Sequence, residues 1–395
     1  MSSAAEVLRV FLKLGLSSFG GPIAHLGYFR NELIVRRGWM DEGSYADLVS
    51  LCQFLPGPAS SQVALSLGLL RAGFAGGLAA WVGFTLPSAA VLVLFAYGAS
   101  SLHGPIAAGL LHGLKLVAVA IVAQAVWGMG RALCPDWQRV TLATISGLVL
   151  HFFGSPATQI IVILVGGLLG LGLCRRNSAV TAAAEPLPSP VSRQAGFASL
   201  VLFCVLLAGL PILRSFTQSQ SVALIDAFYR SGALVFGGGH VVLPLLRQAF
   251  VGPGWVTDDA FLAGYGAAQT VPGPLFTFAA YLGTVVKPSP HGLPGAILGL
   301  LGIFLPGVLI LLGSLPFWDG LRKRLGARAM MAGVNAVVVG LLAAALYDPV
   351  WTSSVKTLAD VGLALIGFGL LTLWRVPPLV VVTLTALGGI ALANI

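Results

Sequence analysis

Four breaks in an otherwise apolar sequence hold the residues best placed to do chemistry. They are Phe19-Gly20-Gly21-Pro22 and Pro56-Gly57-Pro58 in the first half, and Phe236-Gly237-Gly238-Gly239 and Pro272-Gly273-Pro274 in the second. Helix interiors resist such residues, by about 1 kcal/mol per Gly and about 3 kcal/mol per Pro relative to Ala. A helix that restarts after such a break offers unpaired N–H groups and the positive end of its dipole. Ala59-Ser60-Ser61 and Leu275-Phe276-Thr277 follow the proline-glycine-proline motifs, and Ser61 and Thr277 add hydroxyls at equivalent positions. Four helix starts converging in a dry interior would make an anion site, by the physics that seats phosphate or sulfate at helix N-termini. Gly and Pro could instead serve only close helix packing. The recurrence of both motifs, in the same order in both halves, favours the site.

Side chains near the breaks suit the same chemistry. Lys13 and Arg230 each lie six residues before their Phe-Gly-Gly. A cation inside a bilayer costs at least about 2.5–3.5 kcal/mol, so it needs an ionic partner or a wet cavity unless it snorkels to the interface. Gln53 and Gln269 begin the two Gln-x-x-Pro-Gly-Pro motifs, and each amide can give two hydrogen bonds to an oxyanion. The expected substrate-binding set is therefore Lys13, Gly20, Gly21, Gln53, Gly57, Ser61, Arg230, Gly237, Gly238, Gln269, Gly273 and Thr277. The expected helix breaks are Pro22, Pro56, Pro58, Gly239, Pro272 and Pro274. His25, Lys115 and His240 are candidates for gating or coupling, His25 and His240 because imidazoles titrate near neutral pH. Asp41, Glu42, Asp258 and Asp259 follow a Gly-Trp pair in each half and read as helix caps beside an interfacial Trp. No carboxylate is expected deep within an apolar segment.

These residues need a scaffold, and composition says which kind. The 395 residues are 57% apolar and 9% charged, with 51 Gly and 23 Pro. Soluble domains carry about 25% charged residues, so a water-soluble globule is excluded. The net charge of +9 sits mostly at the ends of apolar runs, where it marks topology rather than nucleic-acid binding. Cys52, Cys134, Cys174 and Cys204 form no C-x-x-C pair, and no His completes a zinc site, so no metal or cofactor is expected. Arg9 and Lys13 interrupt what would be a signal peptide's core. No nucleotide loop, HExxH or Ser/His/Asp arrangement supports an enzyme.

Apolar runs near the roughly 20 residues a bilayer requires lie at 75–98, 112–130, 139–153, 157–174, 196–213, 295–317, 329–347, 358–374 and 376–393. The stretches 5–27, 44–70, 222–245 and 260–283 are apolar but interrupted, and broken helices are expected there. The halves repeat. FLKLGLSSFGG (11–21) aligns with FYRSGALVFGG (228–238) at five of eleven positions, GFTLP (83–87) with GIFLP (302–306), and GLKLVAVAIVAQA (113–125) with GVNAVVVGLLAAA (333–345). Loops neutral in one copy are basic in the other, as at Arg322, Lys323, Arg324 and Arg328, which predicts that the copies are inverted. The expected fold is an all-α polytopic membrane protein. It comprises an N-terminal repeat over 1–174, a cytoplasmic linker over 175–195, a connecting helix over 196–213 and an inverted repeat over 214–395. Each repeat has about six membrane segments, with the N-terminus cytoplasmic and the C-terminus periplasmic.

The run FGGPIAHLGYFRNELIVRRGWMDEGSYADLVSLCQFLPGPASSQVALSLG resembles the signature of the chromate ion transporter family. VFGGGHVVLPLLRQAFVGPGWVTDDAFLAGYGAAQTVPGPLFTFAAYLG is similar to its second-half version. The likeness spans the chain apart from the linker and connecting helix, as in the long two-domain members. It implies export of chromate across the bacterial inner membrane, chromate resistance, and competition or exchange with sulfate. The family motif falls on Phe19, Gly20, Gly21, Pro22, Gln53, Pro56, Gly57 and Pro58 and on their second-half equivalents, with Gly239-His240 departing from Pro22-Ile23. Partners are then chromate, sulfate and the lipid bilayer, and the reading allows a homodimer. An anion channel, or a carrier of another tetrahedral oxyanion such as sulfate, remains open as the alternative.

Overall fold

The computed structural model describes residues 3–19, 21–101, 105–153, 155–175, 189–236, 239–287, 289–321 and 324–392. Gly20, Gly237 and Gly238, most of the linker, Arg322 and Lys323 lie outside the described residues. Every regular element among the described residues is helical. The first copy runs through α1 (Ala4–Ser17), α2 (Gly21–Phe29), α3 (Glu42–Phe54), α4 (Ala59–Ser101), α5 (Pro105–Leu133), α6 (Trp137–Phe152) and α7 (Pro156–Leu173). After α8 (Arg193–Phe216) come α9 (Gln220–Ala233), α10 (Val242–Phe250), α11 (Asp258–Ala268), α12 (Phe278–Val285), α13 (Gly292–Ser314), α14 (Leu325–Ala345), α15 (Leu358–Thr372) and α16 (Pro378–Leu392).

Local chemistry sets these boundaries. Asp41, Asp136 and Ser155 cap α3, α6 and α7 by accepting backbone N–H bonds from Ser44, Arg139 and Thr158. In the second copy the cap of α11 is Thr257 rather than an aspartate, and Asp258 instead pairs with Arg247 at 2.7 Å. The equivalent pair in the first copy is Arg30 with Glu42, at 2.8 Å. The four interrupted stretches are broken as expected, with non-helical or 3-10 backbone among the described residues at 18–19, 55–58, 234–236 with 239–241, and 269–277. Helix α4 is also two pieces: Ala72 and Gly73 leave helical geometry, Gly73 at φ +64°, and the chain reverses so that Gly68 packs on Gly76.

Five helices among the described residues are long and apolar enough to cross a membrane: Ala59–Gly98, Ala108–Leu133, Arg193–Phe216, Gly292–Leu321 and Leu325–Ser354. Only 11% of the apolar window in Arg193–Phe216 is buried, so this helix presents its side chains outward, as a lipid-facing helix does.

In each copy the first helix crosses the long returning helix, α1 on the second part of α4 and α9 on α13. The last two helices of each copy then cross over to the other. Helices α15 and α16 pack on α5, while α6 and α7 pack on α14. Close approach at these crossings depends on glycine. Gly113 on α5 meets Gly389 on α16, and its repeat equivalent Gly333 on α14 meets Gly166 and Gly170 on α7. Side chains add further ties between the copies: Trp318 Nε1 donates to Asp47 Oδ2 at 3.1 Å, His112 bonds Asp360 at 2.7 Å, and Lys115 pairs with Asp259 at 2.8 Å.

A Cβ at Gly389 would run into the backbone of Gly109 and Gly113, whereas one at Gly98 meets nothing within 4 Å. Gly389→Ala should therefore lower the thermal midpoint of the purified protein, with an overpacking cost of about 1–3 kcal/mol. Gly98→Ala should leave the midpoint unchanged or slightly raised. Equal midpoints for the two variants would contradict the crossing.

Candidate functional site

The broken helices meet at the centre of the molecule. Gly57 donates its N–H to Val235 O at 2.7 Å, and Gly273 donates its N–H to Ser18 O at 2.9 Å. Ser18 and Val235 are equivalent in the repeat, as are Gly57 and Gly273, so the two bonds are reciprocal. Both glycines hold left-handed backbones, at φ +117° and +108°, which only Gly adopts without strain. Gly57 also abuts Gly307, and Gly273 abuts Ser88, again equivalent positions just after the matched GFTLP and GIFLP blocks. The Pro22 ring lies 3.6 Å from where Gly239 would carry a Cβ. Each proline-glycine-proline loop thus seats in the double-glycine break of the other copy.

Polar groups gather around these seats. On one side Ser18, His25 and Thr85 are buried, and their side-chain polar atoms lack hydrogen bonds. The His25 ring lies by the Ser18 backbone and packs edge-on against Phe84, with centroids 5.2 Å apart. On the other side the buried Ser61 hydroxyl lacks a partner, while Gln62 Nε2 donates to Pro56 O and Gly307 O, both at 3.0 Å. Gln269 Nε2 is likewise buried and unpartnered. Leaving a buried polar group unpaired costs about 1–3 kcal/mol. Ser18, Ser61, Thr85 and Gln269 each keep a hydrogen-bond donor unpaired, and Gln62 Oε1, next to Ser61 in the sequence, is an unpaired acceptor.

The structure places the expected residues unequally. Ser61, Gly57, Gly273 and Gln269 stand at the crossing, with Pro56, Pro58, Pro272 and Pro274 flanking its loops. The N–H groups of Gly57 and Gly273 are taken by the other copy. Thr277 gives its hydroxyl hydrogen to Pro274 O at 2.7 Å, unlike its equivalent Ser61. Gly21 opens α2 at φ +79°. Gly20, Gly237 and Gly238 lie outside the described residues.

Lys13 and Gln53 are exposed, so neither stands among the buried donors at the crossing. Helix periodicity explains it. Val7, Val10, Phe11, Leu14 and Gly15 form the buried stripe of α1, and Tyr45, Leu48, Leu51 and Cys52 that of α3; Lys13 and Gln53 fall outside both stripes. No hydrogen bond or ion pair joins Lys13 to Arg230 among the described residues. Arg230 is bonded to Asp226 at 2.5 Å. His240 bonds the Tyr265 hydroxyl at 2.6 Å, and Lys115 is held by Asp259.

Three carboxylates that stand near the starts of apolar segments are nevertheless enclosed by the protein. Asp47, Asp226 and Asp360 are all buried, each beside a partner supplied by another segment: Trp318, Arg214 and His112. Motif reading also passes over Ser18, Gln62, Thr85 and Ser88. Thr85 lies inside a repeated block and Ser88 directly follows it, which was the available signal.

Gly273→Ala puts a Cβ 2.8 Å from Ser88 Oγ, on top of its backbone strain. Ser88→Gly copies the residue that faces Gly57. It should restore part of the stability lost in Gly273→Ala and do nothing for Gly57→Ala, as thermal midpoints of the four variants would read. No rescue would argue against this pairing.

Comparison with known proteins identifies the family. The chromate transporter profile matches residues 5–171 and again 222–391. A chromate transport protein of Pseudomonas aeruginosa is 32% identical, covering 98% of this chain and 91% of its own length. A probable chromate transport protein of Synechococcus elongatus is 26% identical, covering 98% and 95% respectively. A chromate transport protein of Cupriavidus metallidurans is 25% identical, covering 86% and 81%. No solved structure matches the chain. With its profile matched twice along a multi-pass helical chain, the protein belongs to the chromate transporter family.

Proposed function

We propose that the chain exports chromate from the bacterial cytoplasm across the inner membrane, thereby conferring chromate resistance, and that sulfate competes or exchanges. The observation that carries this reading is the buried crossing, in a chain matched over nearly its whole length by chromate transport proteins. The dianion would sit among the Ser18, Ser61, Thr85 and Gln269 donors and the first-turn N–H groups after the breaks. The copies are inverted about this crossing, with the N-terminus and linker cytoplasmic, the C-terminus periplasmic, and α8 making the inversion. The reciprocal bonds and the mutual crossover of the last helices support a two-fold relation of that kind. Rocking of one copy against the other then alternates access.

The driving force requires no coupled carboxylate. Moving a charge through the membrane potential is worth about 2.3 kcal/mol per 100 mV, so a dianion leaving a negative interior gains roughly twice that.

In vesicles containing the purified protein, chromate flux should saturate, accelerate with an outward-favouring potential and show counter-transport with sulfate. Non-saturating flux without counter-transport would point to a channel, and absence of flux for chromate, sulfate and molybdate would refute transport. Ser61→Ala and Gln269→Leu should each cut flux at least five-fold. Lys13→Gln, at an exposed side chain, should change it less than two-fold.

A further inference from the structure

A cavity of about 210 Å³ opens between the copies, one residue from the crossing: Leu234 lines it, and Val235 accepts the Gly57 bond. Its polar wall comes from Arg214 on α8, Arg230 and Ser231 on α9, Gln248 on α10 and Gln159 on α7. At about 30 Å³ per water, it has room for a tetrahedral oxyanion with part of its hydration shell. We propose that this cavity is a second binding site for a divalent tetrahedral oxyanion, built by Arg214 and Arg230 on the buried carboxylate of Asp226 and open on the membrane face opposite the linker.

Asp226 is fully enclosed, and its Oδ2 accepts from Arg230 Nη2 at 2.5 Å and Arg214 Nη1 at 3.4 Å. One shared oxygen therefore holds the two guanidinium nitrogens within about 6 Å of each other. Arg214 is further fixed by stacking over the Trp255 ring at 5.7 Å. A guanidinium has five N–H donors in a rigid fork, and Asp226 takes one from each. Arg230 Nε is enclosed without a partner, and the donors open to a ligand are those of the partly exposed Arg214 and Arg230 side chains that line the cavity. Two cations over one carboxylate leave the empty site at a net +1, and the carboxylate holds the arginines in place before the anion arrives. The bound dianion would lie on the guanidinium edges turned away from Asp226.

The site has no counterpart in the first copy. Asp226 aligns with Arg9, Arg230 with the exposed Lys13, and α8 occurs once. Arg214 also falls between the two stretches that the family profile matches, so the site belongs to the joined chain rather than to a single repeat. Helix α8 has 24 residues, about 36 Å at 1.5 Å per residue. It begins at the linker and carries Arg214 in its last turn, which puts the cavity on the far face. That face is periplasmic only under the proposed topology; oxyanion binding does not depend on it.

The test uses the full chain with Gln248→Cys on the cavity wall and the exposed Cys204 changed to Ser. A membrane-impermeant maleimide, added from the face opposite the linker, should alkylate the new thiol, and sodium sulfate should slow the reaction at least five-fold. Arg214→Gln should abolish that protection, and Arg131→Gln should keep it. Because Arg230→Gln alone strands a buried carboxylate, the double variant Asp226→Asn/Arg230→Gln is used, and it too should lose protection. Sulfate protection that survives both arginine changes, or labelling only from the linker side, would overturn the proposal. Arginine-dependent protection in a protein that moves no chromate would leave this site standing and remove the transport reading. Chromate flux with protection indifferent to the arginines would do the reverse.

Discussion

Two backbone hydrogen bonds, Gly57 N–H to Val235 O and Gly273 N–H to Ser18 O, are what the rest of the molecule is built around. Breaking a helix in an apolar interior strands peptide groups that water cannot reach, and in lipid each must find a partner within the protein. Here the groups stranded by one copy's break are answered by the other copy's loop. The price of each break is offset only when both copies are present and in register. The crossover of α6 and α7 onto α14, and of α15 and α16 onto α5, serves the same requirement. It fastens the two copies at their outer helices, so that the loops at the centre are held against each other.

Much of this was legible in the sequence because it depends on local chemistry. The Phe-Gly-Gly and Pro-Gly-Pro motifs combine two or three helix-disfavouring residues in a row, and all four breaks occur where those motifs stand, although Gly166-Gly167 and Gly388-Gly389 remain helical. The nine apolar runs each return as a helix within a few residues. What stayed hidden is which copy answers which break, since a repeat says that Gly57 and Gly273 are equivalent without saying what either touches. Lys13 and Arg230 show the same limit. Alignment makes them equivalent, but α1 turns Lys13 outward while Asp226, which aligns with Arg9, draws Arg230 inward. Equivalence in a repeat concerns position along the chain, and function depends on the face and on the neighbour.

The buried carboxylates follow from the same distinction. Judged along the chain, Asp47, Asp226 and Asp360 sit near the ends of apolar stretches and look exposed. In three dimensions each is covered by a segment more than ten residues away and bonded by it: Trp318, Arg214 and His112. A buried ion pair contributes little net stability, because desolvation cancels much of the attraction. Asp226 is therefore better understood as fixing where two arginines stand than as holding the fold together.

Symmetry and charge divide the work between them. The backbone bonds at the crossing recur in both copies, so a motion that exchanged the conformations of the two copies would exchange like for like there. Apart from the matched pairs Arg30–Glu42 and Arg247–Asp258, the ionic groups described above do not recur. Lys115 and Asp259 pair across the copies, but their equivalents are Asn335 and Gly43, and the Arg214–Asp226–Arg230 cluster exists once. Exposed pairs such as Lys115–Asp259 are worth about 0–1 kcal/mol, too little to lock a conformation and enough to bias one. A duplicated chain with identical copies would favour neither orientation. It is these unmatched side chains, rather than the shared backbone geometry, that can set which face the central site prefers when empty.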